Sequence, residues 1–380
     1  MKHRAIFSAD QARLRARARL PRIVFDFVDG GATHERTLRD NEAAFARWQF
    51  MPRVAVDTSG LKIGATLLGH PCTLPLVISP TGLAGLLWPG GDIALARAAA
   101  EFGIPYCLST MSVSSMEEVA DAVPPASRWF QLYIVTDRAL TDSLIDRAAA
   151  SGYETLCLSL DQPGHGTRWR DMRNGWGVPL DMGPRNLLDF ALHPRWSLRA
   201  LANPIRFGNL DTGHRTGLQS ARRATTTFDR SVTWDDVARV RRLWRGRLVI
   251  KGLLSADDAA QAQALGADAV VISNHGGRQL DDVPAPLDAL LPIAERLRGK
   301  IELIVDGGVR TGSDIIKACA LGATACMAGR PTLWGLAADG ESGVADVLHA
   351  LRSETDTAMC LLGALDIAAL DVRLLQRRAP

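Results

Sequence analysis

The fold is decided by residues 270–281, which read Val270-Val271-Ile272-Ser273-Asn274-His275-Gly276-Gly277-Arg278-Gln279-Leu280-Asp281. An apolar, β-branched run changes abruptly to a histidine, two glycines and an arginine. Such a run predicts a buried parallel strand, and the polar residues then lie at its carboxyl end, where α/β barrels carry their chemistry. His275 can take up and return a proton near neutral pH, and Arg278 matches a carboxylate. We therefore expect a base beside an arginine that binds an acidic group.

Seven further apolar runs alternate with helix-like segments from Leu74 onward. The predicted strands are Leu74–Ser79, Pro105–Ser109, Trp129–Tyr133, Thr155–Asp161, Leu248–Lys251, Ala269–Ser273, Leu303–Val305 and Thr324–Ala328. Eight strand-then-helix units predict a TIM (β/α)8 barrel rather than an open doubly wound sheet. We expect one domain over residues 1–380, with the barrel at about 74–340. An N-terminal helical extension begins near Ser8, and a helix at Glu341–Leu362 follows the last barrel helix, Thr332–Ala338.

The segment between the fourth strand and the next helix is far longer than an ordinary βα loop. Residues 172–230 hold nine arginines, four aspartates and no lysine, a balance of +5 in a chain whose net charge is +3. Tryptophan and phenylalanine side chains are scattered among these arginines. An active-site lid, a subunit contact, a surface that meets anionic lipid and a basic solvated loop all fit this pattern.

Composition narrows the class of protein. A hydrophobic content of 47% and a charged content of 22% are typical of water-soluble globular proteins. The net charge is too small to predict nucleic-acid binding. Because we see neither a secretory signal nor a membrane-spanning apolar stretch, we expect a cytoplasmic protein, with peripheral membrane contact as an open alternative. The six cysteines lack CxxC spacing and are expected to be buried free thiols, and we expect no metal site.

Polar residues and glycines, together with Pro80 and Met111, lie at or after the carboxyl ends of the predicted strands, so they are expected to meet at one rim of the barrel. In chain order they are Pro80, Thr81, Gly82, Ser109, Met111, Gln131, Tyr133, Ser159, Asp161, Arg168, Lys251, Ser273, His275, Arg278, Asp306, Gly307, Gly308, Arg310, Gly329 and Arg330. The glycines and arginines after the last two strands predict a phosphate site. Since no GxGxxG follows a first strand, the phosphate belongs to a ligand smaller than NAD or to the substrate.

Three of these rim residues, Lys251, Tyr133 and Asp161, allow more than one role. Lys251 could form a Schiff base, contact phosphate, or hold negative charge on an electron-accepting ring. Tyr133 could donate to a substrate hydroxyl or an oxyanion. Asp161 could stabilise protonated His275 or simply cap a loop.

Residues 273–281 resemble the signature of the FMN-dependent α-hydroxy acid oxidases and dehydrogenases, a family that includes glycolate oxidase, flavin-linked L-lactate dehydrogenase and mandelate dehydrogenase. Other matching segments are Leu20-Pro21, Gly30-Gly31-Ala32, Phe130-Gln131-Leu132-Tyr133, Lys251-Gly252 and Asp306-Gly307-Gly308-Val309-Arg310. The resemblance covers nearly the whole chain. Residues 80–89 and 192–198 are most similar to the mandelate dehydrogenases.

The resemblance implies FMN as the cofactor. Its phosphate would be held by Gly308, Arg310, Gly329 and Arg330. Its ring would be lined by Pro80, Thr81, Gly82, Ser109, Gln131, Ser159 and Lys251, with Ser273, Asp306 and Gly307 also beside the cofactor. Arg278 and Arg168 would bind the substrate carboxylate, and Tyr133 its hydroxyl. His275 would remove a proton as the α-carbon is oxidised, and Asp161 would stabilise the imidazolium.

Three positions bear on the subtype. Phe27 stands where the family usually has a tyrosine that helps to bind the carboxylate, so that hydrogen bond is absent or supplied elsewhere. Met111 stands where glycolate oxidase-like members carry tryptophan, and its flexible thioether would admit a bulky or aryl substrate. Gly82 stands where oxidases often carry alanine, which favours a dehydrogenase.

The resemblance thus implies oxidation of a mandelate-like or lactate-like (S)-2-hydroxy acid to the 2-keto acid, with a quinone or another acceptor and a homotetrameric assembly. One alternative is an oxidase that converts O2 to H2O2. A second is a flavin-free lyase or isomerase that uses Lys251 on a phosphorylated substrate. A third is a barrel retained only for binding, which Phe27 alone supports.

Overall fold

The computed structural model describes residues 5–177, 179–210, 228–297 and 299–378. Its centre is a closed barrel of eight parallel strands in chain order, which confirms the predicted TIM barrel. Each strand lies within two residues of its predicted bounds. The barrel strands are β4 (Leu76–Ile78), β5 (Tyr106–Ser109), β6 (Arg128–Leu132), β7 (Thr155–Ser159), β8 (Arg247–Leu253), β9 (Ala269–Ser273), β10 (Glu302–Asp306) and β11 (Ala325–Ala328).

Four short strands lie outside the barrel: β1 (Trp48–Phe50), β2 (Ala65–Leu67), β3 (His70–Cys72) and β12 (Leu375–Arg377). β2 and β3 form an antiparallel pair just before the barrel begins. β1 pairs antiparallel with β12, so Phe50 lies opposite Leu375. This pairing joins the N-terminal extension to the last described residues of the chain.

Helices surround the barrel as predicted. They are α1 (Ala9–Arg19), α2 (Arg22–Asp29), α3 (Arg36–Ala46), α4 (Ala84–Leu87), α5 (Gly91–Phe102), α6 (Met116–Ala122), α7 (Arg138–Ala150), α8 (Trp169–Asn174), α9 (Pro184–Leu192), α10 (Pro194–Ala202), α11 (Trp234–Leu243), α12 (Ala256–Ala264), α13 (Pro286–Leu297), α14 (Gly312–Ala320) and α15 (Arg330–Leu362). Ser8 caps α1 by accepting a hydrogen bond from the backbone N–H of Gln11.

The last two predicted helices, Thr332–Ala338 and Glu341–Leu362, are confirmed. They form α15, which begins at Arg330 and has non-helical backbone at Asp339 and Gly340, between the two. Gly340 has a φ of +64°, and a β-carbon there would lie 2.5 Å from the indole of Trp88. A glycine therefore permits both the kink and the close contact with the loop that carries Trp88.

Strand register aligns the polar rim. Ser109 lies opposite Gln131, Ser159 opposite Lys251, and Asp306 opposite Ser273. The apolar residues that precede them in each strand are buried, so the barrel interior is a packed core rather than a channel. Functional side chains consequently cluster at the carboxyl rim.

The long segment after β7 is not a plain solvated loop over residues 184–202, because it forms α9 and α10. Phe190 and Trp196 pack between these helices, with ring centroids 5.6 Å apart. The indole N–H of Trp196 donates to the backbone oxygen of Leu86, 2.8 Å away, which fixes α10 against α4. Residues 211–227 of the predicted insertion lie outside the described part of the chain.

Other expectations have mixed outcomes. Five of the six cysteines are buried free thiols, but Cys360 is exposed because it lies on the outer side of α15, so that prediction was wrong for Cys360. None of the helices within the described residues is both long and apolar enough to cross a membrane. The described ranges also contain no group of three or more His, Cys, Asp or Glu side chains arranged to hold a metal ion.

Candidate active site

A cavity of about 240 Å³ opens at the carboxyl rim of the barrel. Most of the predicted site residues line it: Phe27, Pro80, Thr81, Gly82, Ser109, Met111, Tyr133, Arg168, Lys251, His275, Arg278, Asp306, Gly307, Gly308, Arg310, Gly329 and Arg330. Asp161, Gln131 and Ser273 lie immediately behind and hydrogen-bond to lining residues. Ser159 lines an adjacent cavity that shares Tyr133 with the first.

His275 and Asp161 form a hydrogen-bonded pair in the site. The Nδ1 atom of His275 lies 3.1 and 3.2 Å from the two carboxylate oxygens of Asp161. Burial acts to raise the pKa of Asp161, but the charges of His275 and Lys251 outweigh it, and the pKa lies below its usual value. An ionised carboxylate places the imidazole proton on Nδ1. This leaves Nε2, 3.5 Å from the Tyr133 hydroxyl, as the atom that can accept a proton.

The backbone around His275 is strained. His275 has a φ of +59°, a conformation that few residues other than glycine adopt, and Gly276 and Gly277 continue it at +64° and +70°. The backbone N–H of His275 donates to Ser273 Oγ at 3.0 Å. A β-carbon on Gly277 would lie 2.6 Å from the backbone nitrogen of Leu38, so α3 approaches this turn too closely for a side chain.

Lys251 is buried in an ion pair. Its Nζ lies 2.6 Å from the Asp306 carboxylate and donates to Ser273 Oγ at 2.9 Å. Burial acts to lower the pKa of Lys251, but Asp306 and Asp161 reverse the effect and raise it. Lys251 is therefore an ammonium ion, whereas a Schiff base requires a neutral amine. The other carboxylate oxygen of Asp306 accepts a hydrogen bond from the Ser79 hydroxyl, and this bond holds the carboxylate beside Lys251.

Arg278 and Arg168 flank the ring of Phe27, with their guanidinium carbons 4.9 and 5.9 Å from its centroid. Arg278 donates to the backbone oxygen of Phe27 at 2.5 Å, and Arg168 donates to Asp171 at 2.6 Å. Burial, together with the charges of Arg168 and Arg330, lowers the pKa of Arg278 well below its usual value. An anion bound here would relieve this accumulation of positive charge.

Aromatic side chains from the insertion complete the cavity wall. Trp176 stacks on Phe27 with ring centroids 3.8 Å apart and an angle of 10° between the rings. Phe228 meets both Tyr133 and His165 edge-on, at 5.1 and 4.9 Å. Sequence reasoning did not assign Trp176, Phe228 or His165 to the site. The only signal for Trp176 and Phe228 was the scatter of aromatic residues in the insertion, which has no diagnostic spacing, and His165 lies before the insertion.

The predicted phosphate end lies at the loops after β10 and β11. Arg310 donates to Glu42 at 2.7 Å. Arg330 is the first residue of α15 rather than a loop residue, and its three nitrogens donate to the backbone oxygens of Val28, Gly276 and Gly30. Burial, followed by the charge of Arg310, lowers the pKa of Arg330 to about 10. Arg330 thus ties α2 to the His275 turn while it lines the cavity.

Several buried polar atoms in this region have no hydrogen-bond partner within the described residues. They are Thr81 Oγ1, Gln131 Nε2, Ser159 Oγ and Arg310 Nε. Because buried polar groups are rarely left unpaired, such a cluster indicates a missing ligand. The first three belong to the residues predicted around the ring of FMN, and the last to those predicted around its phosphate. The residues present therefore fit a flat ring with polar edges that carries a phosphate.

Comparison with known proteins agrees with this geometry. The family model for FMN-dependent dehydrogenases matches residues 16–377. (S)-Mandelate dehydrogenase from Pseudomonas putida is 40% identical over 98% of this chain and 94% of its own. L-lactate dehydrogenase from Xanthomonas oryzae pv. oryzae is 40% identical over 98% and 97%. The crystal structure of a monotopic membrane protein, (S)-mandelate dehydrogenase, superposes with a TM-score of 0.95 at 39% identity and covers 99% of this chain and 100% of that one.

These matches extend over almost the whole chain, and they agree with the unpaired polar atoms at the rim. They identify an oxidoreductase with FMN as its cofactor. The chain belongs to the FMN-dependent dehydrogenase family.

Proposed function

We propose that this protein oxidises an (S)-2-hydroxy acid with an aryl or large aliphatic side chain, such as mandelate, to the 2-keto acid. The observation that carries the proposal is a cavity lined by His275 and two arginines, with Asp161 hydrogen-bonded to His275 and unpaired polar atoms suited to FMN in and around the cavity. The relatives named as mandelate and lactate dehydrogenases support the same substrate class.

Substrate binding is assigned to the arginines. The carboxylate would lie against Arg278 and Arg168, because these two side chains hold excess positive charge on one side of the cavity. The hydroxyl would then lie near Tyr133 and His275, whose polar atoms are 3.5 Å apart. This arrangement would orient the α-carbon relative to the base before any bond changes.

Proton transfer is assigned to His275. Its Nε2 atom would take the proton released as the α-carbon is oxidised, while Nδ1 keeps its hydrogen bond to Asp161. The resulting imidazolium would be stabilised by Asp161, which is already ionised. FMN, when bound, supplies the acceptor for the two electrons.

Cofactor binding is assigned to the residues with unpaired polar atoms and to their neighbours. Thr81, Gln131 and Ser159 would hydrogen-bond the ring, together with Pro80, Gly82, Ser109 and Ser273. Gly307, Gly308, Gly329, Arg310 and Arg330 would surround the phosphate. The Lys251 ammonium would offset negative charge on the ring, a role that its raised pKa favours over the Schiff-base alternative.

Anaerobic reduction tests the substrate. The flavin spectrum of the purified protein would be recorded before and after mandelate and lactate are added separately. We expect mandelate to bleach the flavin faster, because Phe27, Trp176 and Met111 form an apolar wall. Faster bleaching by lactate would overturn the aryl preference, and bound flavin that neither acid reduces would overturn the substrate class.

We propose a dehydrogenase that passes its electrons to a quinone or a similar acceptor rather than to O2. Oxidases of the resembled family often carry alanine where this chain has Gly82. A β-carbon there would lie 3.0 Å from Met111 Cβ, so alanine would fit only if Met111 moved. The expected result is little H2O2 during turnover in air. Stoichiometric H2O2 would instead establish the oxidase alternative.

Membrane contact is proposed for one face of α9 and α10. Its leucines are exposed: Leu187, Leu188, Leu192, Leu198 and Leu201. Exposed Arg185 and Arg195 lie beside them. Apolar side chains interspersed with arginines suit the interface of an anionic bilayer. The similar (S)-mandelate dehydrogenase of known crystal structure is a monotopic membrane protein, which supports this proposal.

Flotation with anionic vesicles tests the membrane proposal. Leu198→Gln combined with Leu201→Gln should release the protein from the vesicles. Leu361→Gln should not, because Leu361 is equally exposed but lies on α15. Binding that survives the double substitution would overturn the assignment. The homotetramer and the cytoplasmic location remain predictions, and light scattering on the 41.0 kDa chain would test the former.

A further inference from the structure

Helix α3 supplies no side chain to the chemistry described so far, but it contacts the turn that contains His275. The side-chain amides of Asn41 and Asn274 form a reciprocal pair. Asn41 donates to Asn274 Oδ1 at 2.8 Å, and Asn274 donates to Asn41 Oδ1 at 2.7 Å. Asn274 Oδ1 also accepts from the backbone N–H of Gly277 at 2.9 Å. Both asparagines are buried, so water does not compete for these hydrogen bonds.

The same part of α3 also contacts the predicted phosphate loop. A β-carbon on Gly308 would collide with the backbone oxygen of Asn41. The next residue of α3, Glu42, accepts from Arg310 at 2.7 Å. Two adjacent residues of one helix therefore link the His275 turn to the loop after β10.

Both ends of α3 are anchored. At its beginning, the Asp281 carboxylate accepts from the backbone N–H groups of Thr37 and Arg36, at 2.8 and 3.3 Å. At its end, Lys317 donates to the backbone oxygen of Phe45 at 2.9 Å. Asp281 belongs to the same signature as His275, so the histidine turn is tied to α3 at two points.

We propose that Asn41 is a positioning residue for His275 and joins the placement of this base to the phosphate loop. His275 and the two glycines after it have left-handed backbone, which persists only where surrounding contacts hold it. The Asn41–Asn274 pair supplies such a contact at the residue directly before His275. The inference rests on the proposed function, since Asn41 acts on the reaction only through His275.

Two measurements on Asn41→Ala test the proposal. The first is hydrogen exchange of the flavin-free protein. We expect the Gly277 amide to exchange about tenfold faster, because its side-chain acceptor, Asn274 Oδ1, is no longer fixed and only the longer bond to the backbone oxygen of Asn274 remains, at 3.1 Å. The second is turnover of the flavin-loaded enzyme. We expect kcat to fall about tenfold or more, with KM changed by less than about threefold, because a displaced base slows proton transfer without weakening carboxylate binding.

Thr73→Ala is the matched control. Thr73 lies at the amino end of the barrel and donates to the backbone oxygen of Phe102 at 2.6 Å. It should leave both readouts unchanged. Asn41→Leu keeps a similar side-chain volume but can neither donate to Asn274 nor accept from it, so it should behave like Asn41→Ala and replaces it if that variant does not fold.

Unchanged exchange at Gly277, or an unchanged kcat in a folded variant, would overturn the proposal. A parallel rise in KM with no fall in kcat would also overturn it. If the unsubstituted enzyme turned over no 2-hydroxy acid, the proposed function would fail, but the exchange measurement would still decide whether Asn41 fixes the turn.

Discussion

The rim of the barrel and the outer face of α9–α10 differ in the environment they give to charged and to apolar side chains. At the rim, two pairs of opposite charge lie side chain against side chain: Lys251 with Asp306, and His275 with Asp161. On α9–α10, leucines such as Leu201 are exposed on the surface of the described structure. Ion pairs inside a cavity act on groups that bind within the molecule, whereas exposed leucines indicate a surface that contacts another molecule or a membrane. The predictions below probe this difference, beginning with the rim.

His275→Gln should have the largest effect. Glutamine has similar reach but cannot accept a proton at neutral pH, so the rate of anaerobic flavin reduction should fall by about 10³-fold. Flavin absorbance after purification is the control, because the substitution leaves the predicted FMN contacts in place. A rate above one tenth of the original would contradict the assignment of His275 as the base.

Asp161→Asn should lower the same rate by about 10²-fold, since an amide cannot stabilise an imidazolium as a carboxylate does. The lowered pKa of Asp161 means that it is ionised throughout the neutral range. The loss should therefore be similar at every pH between about 6 and 9. A loss that vanished at one end of this range would show that Asp161 titrates during catalysis.

Phe27→Tyr probes the place where the rim meets the insertion, because Phe27 lies there and stacks on Trp176. A hydroxyl at this position would offer a hydrogen bond to the bound carboxylate. Since hydrogen bonds to charged groups contribute about 1.5–3 kcal/mol, kcat/KM for lactate should rise at least about tenfold. Mandelate is the reference substrate. An unchanged kcat/KM for lactate would mean that this hydrogen bond is already supplied elsewhere.

Asp281→Asn should have a smaller effect, on stability. Hydrogen bonds from Thr37, Thr33 and Arg36 lower the pKa of Asp281 to about 2, although burial opposes them. A lowered pKa stabilises the fold above the unfolded-state value near 4, and this stabilisation is lost as the pH falls toward 2. The variant should lose about 1 kcal/mol at pH 7 in urea unfolding, and less at pH 3.

Asp282→Asn is the control for this measurement. Asp282 neighbours Asp281 but forms an exposed ion pair with Arg36. Such pairs contribute little. Equal losses from the two variants would contradict a specific role for Asp281 in anchoring α3.

The strands and most rim residues could be predicted because their signals are local. A β-branched run that ends in polar residues marks both the strand and its functional end, as at Ser273–Arg278. Trp176 and Asn41 could not be predicted, because their contacts depend on how the insertion and α3 fold back over the barrel. Arg330 shows the same limit. Its position after a strand was evident, but its bonds to Val28 and Gly30 depend on the placement of α2.

The β1–β12 pairing has a consequence for the order of folding. β1 follows α3 almost directly, and it is held by a strand that is translated after the entire barrel. Contacts between such distant parts of a chain form late, because a large loop must close first. During synthesis, α3 therefore reaches its final anchoring only after the barrel strands have emerged. The β1–β12 pairing is therefore available to hold the end of α3 only once the whole barrel has been translated.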